Sequence, residues 1–356
     1  MKIILDICRD EEYNENDFRK RFHKKEESNI GIKDVAKYAN VSVATVSRVL
    51  NGTAAVAEPT REKVLGAAQL LGYSPNLLGK NLRERRTRIV LVMLSSLENT
   101  FCSKVIRGIE KEAAKNGYNI MICATGDSKE SEQVYLNFVR NKMADGMIIL
   151  NSTLSGQEMK EYSAQFPVVQ CSEYTDTQTT PFVSIDNRAA AYDAVSHLIR
   201  SGRRKIAYLG VDNGLISSRL RLEGYRAALS DNGIPFDEDL VLCGNYGYRK
   251  AIRVVNDFLK RKIPFDAVFA ISDRMAAGSI SALRAVGLNV PQEVSVIGFD
   301  NTDITYMFEP NITTVAQPQN EMGECAFRLL MQLFEGQQPE NVILPHKLIV
   351  RDSTDS

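Results

Sequence analysis

The sequence has no long apolar run. No stretch of eighteen consecutive apolar residues occurs among its 356 residues. A helix that crosses a bilayer needs about 20 such residues, so no membrane-spanning segment is expected. The first eight residues are apolar only briefly before acidic residues follow, and no small-residue cleavage site is present. This start does not have the pattern of a secretory signal, and we expect a cytoplasmic protein.

Patterns that bind metals or form disulfides are missing as well. None of the six cysteines belongs to a Cys-x-x-Cys pair, and the sequence contains only three histidines. This spacing argues against a zinc site and favours reduced thiols, as in a cytoplasm. Neither a metal nor another cofactor is expected. The scattered cysteines are Cys8, Cys102, Cys123, Cys171, Cys243 and Cys325.

The motifs of common enzymes are also absent. The sequence contains no Gly-x-Ser-x-Gly, no P-loop and no Gly-x-Gly-x-x-Gly after its first predicted strand. Asp273 and Asp300 could be considered a catalytic pair, but neither a nucleophile nor an ordered base accompanies them. We therefore expect a binding protein and not an enzyme.

The charge of the chain is balanced overall but unevenly distributed. The sequence has 44 basic and 44 acidic residues, yet residues 31–88 contain ten basic and four acidic side chains, a net charge of +6. The remaining residues therefore carry the compensating negative charge. A basic segment on an acidic body indicates a polyanionic partner for that segment alone.

Within this basic segment, residues 31–52 have the pattern of two short helices joined by a tight turn. Asn40 can adopt the left-handed conformation that the turn requires, and Ser42 can cap the second helix. Arg48 and several small side chains face outward from that second helix. The pattern predicts a helix-turn-helix whose second helix suits the major groove, although an ordinary helical hairpin is the alternative. The buried faces are formed by Ile32, Val35, Ala36, Ala39, Val46, Val49 and Leu50.

Three motifs at fixed offsets carry a resemblance to a known family. They are Asp34-Val-Ala36, Val41-Ser-x-x-Thr-Val-Ser-Arg48 and Val49-Leu-Asn-Gly52. This segment resembles the DNA-binding headpiece of the LacI/GalR family of bacterial transcription regulators, and the likeness continues from Ile30 to Thr354. Four further motifs resemble the cytidine-responsive repressor branch of this family: Gly79-Lys-Asn81, Arg107-Gly-Ile-Glu110, Ser172-Glu-Tyr174 and Thr314-Val-Ala-Gln-Pro318.

The resemblance implies which head residues contact DNA. Val43, Ala44 and Arg48 are expected to read bases. The residues expected mainly to position the DNA backbone are Ser42, Thr45, Ser47, Asn51, Tyr73 and Asn76. In the family, a hinge helix follows and inserts a leucine between base pairs of the minor groove. Leu82 matches that leucine, and Lys80 and Arg83 flank it.

We expect four segments in the chain. Residues 1–29 form a charged extension, either flexible or a frayed helix. Residues 30–73 form an all-α head, whose third helix runs from Glu58 to Leu71 with Val64, Leu65, Ala68 and Leu71 facing the other two helices. Residues 74–88 form the hinge and linker, and residues 89–356 form an α/β body.

Buried strands alternate with amphipathic helices throughout the body, which predicts parallel sheets covered on both faces. The clearest strand begins at Ile89 and ends at Leu94. Two runs of such units imply two doubly wound lobes, and the body resembles the periplasmic sugar-binding-protein fold. The first lobe is expected at about 89–187 and 318–345. The second is expected at about 188–317 with the C-terminal strand.

Candidate ligand-binding residues follow the predicted strands, because parallel sheets bind ligands beyond the carboxyl ends of their strands. Carboxylates and a guanidinium that converge in a cleft suit a polyhydroxylated ligand. Flat apolar side chains could stack on its ring. The alternatives are an Asp that caps the next helix and an arginine in a surface ion pair. The candidates are Phe101, Glu173, Asp186, Ser217, Arg221, Tyr246, Asp273 and Asp300.

These observations predict a DNA-binding transcriptional regulator, a repressor controlled by a small effector between its lobes. The cytidine-responsive resemblance implies a nucleoside effector, and a mono- or disaccharide is the alternative. A different class, a periplasmic-type solute-binding protein, would share the body but lack the basic head. We expect a homodimer on a pseudo-palindromic operator, since two recognition helices related by a two-fold axis enter successive major grooves.

Overall fold

The computed structural model describes residues 30–51, 56–73, 86–175, 180–244 and 246–354. The chain divides into two compact units, with the second beginning at Arg86. Within the described ranges, no helix is long and apolar enough to cross a membrane. The predicted N-terminal extension and the hinge segment 74–85 lie outside the described residues.

The first unit contains three helices, α1 (Ile32–Tyr38), α2 (Val43–Asn51) and α3 (Glu58–Leu70). Asn40 has a φ of 51°, which confirms the predicted left-handed turn. The backbone N–H of Thr45 donates to Ser42 Oγ over 3.1 Å, so the predicted cap of α2 is also confirmed. These two residues make the turn and start the second helix.

The three helices enclose a small core around Val35, Val46 and Val64, all of which are fully buried. The prediction for α3 was wrong at Leu65, which is 45% exposed. Ala67 is buried instead, because Val64, Ala67 and Ala68 follow the i, i+3, i+4 spacing of one helix face. Leu65, one residue after Val64, is rotated away from that face.

The first lobe of the second unit is a six-stranded parallel sheet in the order β11-β5-β4-β3-β1-β2. Its strands are β1 (Ile89–Leu94), β2 (Asn119–Ala124), β3 (Gly146–Ile149), β4 (Val168–Cys171), β5 (Phe182–Ile185) and β11 (Val342–Leu344). Its helices are α4 (Thr100–Lys115), α5 (Lys129–Arg140), α6 (Gly156–Ser163) and α12 (Gln319–Phe334).

The second lobe has a sheet in the order β12-β10-β9-β8-β6-β7, parallel except for β12, which runs antiparallel to β10. The strands are β6 (Ile206–Val211), β7 (Val241–Gly244), β8 (Ala267–Ala270), β9 (Ser295–Asp300), β10 (Thr313–Ala316) and β12 (Lys347–Ile349). The helices are α7 (Asn187–Arg200), α8 (Ile216–Asp231), α9 (Tyr248–Lys260), α10 (Asp273–Ala285) and α11 (Ile304–Met307), with a 3-10 turn at Glu238–Leu240.

The chain passes between the lobes three times, after β5, after β10 and after β11. In the first lobe, α4 and α12 approach closely at two glycines. A Cβ on Gly108 would lie 2.0 Å from the backbone oxygen of Asn320, and one on Gly323 would lie 2.1 Å from that of Val105. This contact holds the returning helix α12 against the first lobe, next to the crossover that follows β10.

Candidate functional site

The outer face of α2 carries small side chains and one guanidinium. Val43, Ala44 and Arg48 are exposed, whereas Val46 and Val49 on the opposite face are buried in the head core. The surface predicted to read bases is therefore accessible. Its small side chains permit a close approach to base edges, and Arg48 can donate two hydrogen bonds to a guanine.

The other predicted DNA contacts differ in their surroundings. Ser42 is exposed, and Thr45 and Ser47 are half-buried along α2. Tyr73 is half-buried and packs against the head core. For Asn51 only its place at the end of α2 is described. The hinge residues Asn76, Lys80, Leu82 and Arg83 lie outside the described residues.

The second candidate site is a cleft between the two lobes, and it consists of two adjoining cavities. The larger has a volume of about 610 Å³ and lies against Phe101, Leu150 and Glu173 of the first lobe. The smaller, of about 400 Å³, reaches the starts of α9 and α10 in the second lobe. Residues from both lobes line both cavities: Ser95, Asn99, Asp127, Asn213, Tyr246 and Asp300.

Arg221 is the only buried cation among the described residues that line this cleft. Its Nε donates to Asn187 Oδ1 over 2.9 Å, and its Nη1 donates to the backbone oxygen of Ile271 over 2.7 Å. Its Nη2 lies 4.0 Å from Asp300 Oδ1. The guanidinium is thus held on several sides beside the cleft.

Two carboxyl groups lie together at the ends of β8 and β9. Asp273 accepts hydrogen bonds from the backbone N–H of Thr302, at 2.6 Å, and from Thr314 Oγ1, at 2.5 Å. Asp300 accepts from Gln317 Nε2 at 2.7 Å. Burial and the nearby Asp300 charge raise the pKa of Asp273 to about 7. Burial raises the pKa of Asp300 to about 6, although the Arg221 charge opposes this rise.

The backbone at Asp300 is unusual for a non-glycine residue. Its φ is 106°, and the following Asn301 has a φ of 56°. Such conformations cost about 1–3 kcal/mol and cluster at functional sites. Here the left-handed pair turns the chain at the end of β9, where the Asp300 side chain lines both cavities.

Glu173 connects the lobes across the cleft. It follows β4 in the first lobe and accepts from the backbone N–H of Ser217, at 3.1 Å, and from the Ser217 hydroxyl in α8. Burial raises the pKa of Glu173, and the two hydrogen bonds and the Arg221 charge oppose that rise. The predicted residues Glu173, Ser217 and Arg221 therefore lie together at one wall of the cleft.

The two predicted aromatic residues also line the cleft. Phe101 is buried at the start of α4, and Tyr246 is partly exposed with its hydroxyl 3.3 Å from Ser218 Oγ. Asp186, in contrast, is exposed and does not line either cavity. Its carboxylate accepts from the backbone N–H of Ala189 and caps α7. Asp186 therefore has the alternative role named in the sequence analysis, that of an Asp that caps the next helix.

Three residues that line the cleft or hold its lining side chains were not among the candidates. Asn187 fixes Arg221, and Gln317 holds Asp300 from the crossover that precedes α12. Cys102 lines the larger cavity, where burial and the charges of Asp300 and Glu173 raise the pKa of its thiol to about 12. That thiol is neutral near pH 7 and is a poor nucleophile. A signal in the sequence existed for Asn187 alone, because this residue follows the end of β5 in the same way as Asp186.

The arrangement can bind a ligand that has many hydroxyl groups. Carboxylate oxygens accept from hydroxyls, the guanidinium donates to them, and Phe101 provides a flat apolar surface. Among the described residues, no group of three His, Cys, Asp or Glu side chains could hold a metal ion. The lining of the cleft therefore suits an organic molecule that has several hydroxyl groups.

Fold and site together define a class: a helix-turn-helix DNA-binding unit joined to a two-lobed ligand-binding unit. Comparison with known families agrees with this division. Residues 31–76 match the family described as "Bacterial regulatory proteins, lacI family". Residues 87–352 match "Periplasmic binding proteins and sugar binding domain of LacI family". The chain belongs to the LacI family of bacterial transcriptional regulators.

Similar proteins cover nearly the whole chain. Catabolite control protein A of Priestia megaterium is 36% identical over 92% of this chain and 99% of its own length. The HTH-type transcriptional repressor CytR of Escherichia coli strain K12 is 35% identical over 93% of this chain and 98% of its own. These relatives are named as a control protein and as a transcriptional repressor, which agrees with a transcriptional regulator.

Solved structures show the same architecture. The lac repressor dimer bound to operator and the anti-inducer ONPF is 28% identical, with a TM-score of 0.83 over 92% of this chain and all of that one. The transcriptional regulator CelR in complex with cellobiose is 31% identical, with a TM-score of 0.70 over 91% of this chain and 99% of that one. The predicted fold class, a helix-turn-helix head with a two-lobed α/β body, is confirmed.

Proposed function

We propose that this regulator is a repressor that binds a pseudo-palindromic operator as a homodimer and responds to a nucleoside bound between its lobes. The exposed face of α2 supports the DNA-binding part, because Val43, Ala44 and Arg48 are available to base edges while the opposite face forms the head core. The lac repressor, similar to this chain over nearly its whole length, binds its operator as a dimer.

The observation that carries the effector proposal is the buried Arg221 beside Asp300. A buried charge is costly unless it is paired and hydrogen-bonded, and Arg221 has both a nearby carboxylate and two hydrogen-bond acceptors. Such a fixed group can donate to a ligand hydroxyl without first being ordered, which favours binding. The surrounding carboxyl groups disfavour a phosphorylated ligand, since like charges repel.

The size and shape of the cleft support a two-part ligand. A cavity of about 610 Å³ joined to one of about 400 Å³ has room for more than one ring. A nucleoside places a ribose and a base in such a space, and Phe101 offers its face to one of them. CytR, named as a repressor, supports the repressor part of the proposal. The resemblance of the sequence to the cytidine-responsive branch supports the nucleoside. The complex of CelR with cellobiose supports a disaccharide as the second candidate.

Isothermal calorimetry on the full chain tests this proposal. Cytidine, adenosine, ribose and cellobiose are titrated into the wild type and into Asp300→Asn. The matched control is Asp257→Asn, which alters an exposed carboxylate on α9 that pairs with Lys260 at the protein surface. We expect a nucleoside to bind wild type and the control equally and Asp300→Asn about tenfold more weakly. Tight binding of cellobiose or ribose without any nucleoside binding would overturn the nucleoside proposal.

A further inference from the structure

The chain enters the first lobe through Thr87 and Arg88, the two residues that precede β1. Thr87 donates to Asp145 Oδ1 through its backbone N–H, over 2.7 Å, and through its hydroxyl, over 2.8 Å. The backbone N–H of Arg88 donates to Asp145 Oδ2 over 3.0 Å. Three hydrogen bonds to one carboxylate therefore tie this entry to the loop before β3. We call these contacts the entry clamp.

The backbone inside the entry clamp has an uncommon conformation. Arg88 has a φ of 56°, in the left-handed region that residues other than glycine adopt at a cost. Its backbone oxygen accepts from the N–H of Asn119, at the start of β2, over 2.9 Å. Such a conformation persists only where its surroundings over-determine it. Here the contacts to Asp145 and Asn119 hold a sharp turn of the chain on two sides.

The second lobe has a comparable clamp without this turn. Asp266 precedes β8 and accepts from the backbone N–H groups of Arg204, over 2.8 Å, and Lys205, over 2.9 Å, just before β6. Neither Arg204 nor Lys205 has a left-handed φ. A carboxylate at this place is thus an ordinary feature of such a lobe. The left-handed Arg88 is particular to the lobe that follows the DNA-binding segments in the chain.

Two paired strands connect the entry clamp with the ligand cleft. Asp145 holds β1 and β3 together at their amino ends. At their carboxyl ends, Asn151 Oδ1 accepts from the backbone N–H of Ser95 over 2.6 Å. Ser95 and Asn151 both line the larger cavity. Since β1 is buried from Val90 to Leu94 and packed interiors transmit strain, a stiff element runs from the cleft to the entry clamp.

We propose that Asp145 is a positioning residue for operator binding, because it fixes the direction in which the chain from the DNA-binding segments enters the first lobe. The proposal deepens the operator-binding part of the proposed function and rests on it, whatever the effector is. Without the entry clamp, Thr87 and Arg88 gain conformational freedom. Ordering them again on the operator costs entropy, so the affinity falls.

DNA binding by the full chain tests the proposal. An operator selected from random DNA with the wild type is titrated with wild type, Asp145→Asn and Asp266→Asn, and a shuffled duplex of equal length measures non-specific binding. Asparagine keeps one acceptor oxygen but has a donor in place of the other, so it cannot maintain the whole clamp. Asp266→Asn makes the same change in the lobe that does not follow the DNA-binding segments.

The readout is the ratio of operator affinity to non-specific affinity. A loss of stability alone would weaken binding to both duplexes alike and leave this ratio unchanged. We expect the ratio to fall about five- to tenfold in Asp145→Asn and to stay at the wild-type value in Asp266→Asn. Thr87→Val provides a second variant if Asp145→Asn does not fold. Valine keeps the shape of threonine but lacks the hydroxyl that donates to Asp145, and we expect the ratio to fall about threefold.

The outcomes separate the two proposals. A wild-type ratio in the folded variants of the entry clamp, or an equal fall in Asp145→Asn and Asp266→Asn, overturns the positioning role of Asp145 while the operator-binding function still stands. Failure of the wild type to select any specific duplex overturns the proposed function itself, and the role of Asp145 with it.

Discussion

The guanidinium carbon of Arg221 lies 3.6 Å from the centre of the Phe299 ring. The ring belongs to β9, one residue before Asp300, so one strand end supplies both the flat surface and the carboxylate that hold the guanidinium. Stacking on a ring is a property of the planar arginine side chain that lysine does not reproduce. The site therefore depends on arginine itself and not only on a positive charge.

Replacement of Arg221 by lysine is expected to weaken effector binding about tenfold or more. Lysine keeps the charge but loses the stacking and the fixed directions of the two hydrogen bonds to Asn187 and Ile271. Calorimetry with the effector measures the change. The matched control is Arg226→Lys, because Arg226 also stacks on a ring, that of Phe236, but does not line the cleft. Equal affinities in both variants would refute a specific role for Arg221.

The stability of the ligand-free protein is expected to fall as pH rises through the range from about 4 to about 7. The folded protein raises the pKa of Asp273 to about 7, whereas the unfolded chain leaves such a group near 3.9. The folded state therefore binds this proton more tightly. The stabilisation is complete below about pH 4 and is lost as pH passes the folded pKa.

Thermal unfolding between pH 4.5 and 8 tests this linkage. Asp273→Asn removes the titrating group, and the control Asp266→Asn changes a carboxylate outside the cleft that accepts from the backbone of Arg204 and Lys205. We expect the melting temperature of Asp273→Asn to depend less on pH than those of wild type and control over about pH 5–7. If the melting temperatures of all three proteins changed equally with pH, Asp273 would not be the group that causes the pH dependence.

An ion pair joins the lobes at the edge of the cleft, with Lys104 Nζ 2.8 Å from Asp303 Oδ1. The two side chains are 33% and 71% exposed, so their attraction is screened by solvent and is worth about 0.2–1 kcal/mol. Lys104→Met is expected to weaken effector binding by at most about fivefold, because the contact between the lobes loses this ion pair.

A double-mutant cycle with Asp303→Asn measures the coupling directly. We expect the double variant to bind the effector about as well as either single variant, with the coupling smaller in high salt. Strictly additive effects of the two substitutions on effector affinity would show that the ion pair does not contribute to effector binding.

Much of the fold followed from the sequence because most strands are continuous apolar runs. Ile89–Leu94 is an inner strand with nearly all of its residues buried, and its continuous apolar run indicated a buried strand. The C-terminal strand β12 was expected in the second lobe, whereas β7 and β11 were not predicted. Both are short and lie at sheet edges, where one side has no neighbouring strand. Thr313–Ala316 was missed because its polar residues resemble a loop, although the structure buries Thr313 and Thr314.

The residue types of the cleft could be predicted, but their contacts could not. Strand ends indicated Glu173, Asp273 and Asp300, because parallel sheets place such positions at one edge. The link between Lys104 and Asp303 joins positions 199 residues apart, which no local pattern records. Asp186 and Asn187 are neighbours in sequence, and only the direction of each side chain decides which one reaches Arg221.

Arg48 is expected to determine preference at one base position of each half-site. If it donates to a guanine, Arg48→Ala should cost about 1–3 kcal/mol there and relax the preference at that position. Binding to a library of operator variants measures the base preference. The control is Arg61→Ala, which replaces an exposed residue of α3. Equal weakening at every sequence would show that Arg48 contacts only phosphate.

The central claim is that a ligand bound between the lobes changes the affinity of the full chain for its operator. An operator selected from random DNA is titrated with and without cytidine, using wild type and Asp300→Asn. We expect cytidine to change the operator Kd of wild type by about 5–150-fold, and the operator to change the cytidine Kd by the same factor. Asp300→Asn should show little change at the same cytidine concentration. An operator affinity that stays constant while cytidine saturates the cleft would contradict the account.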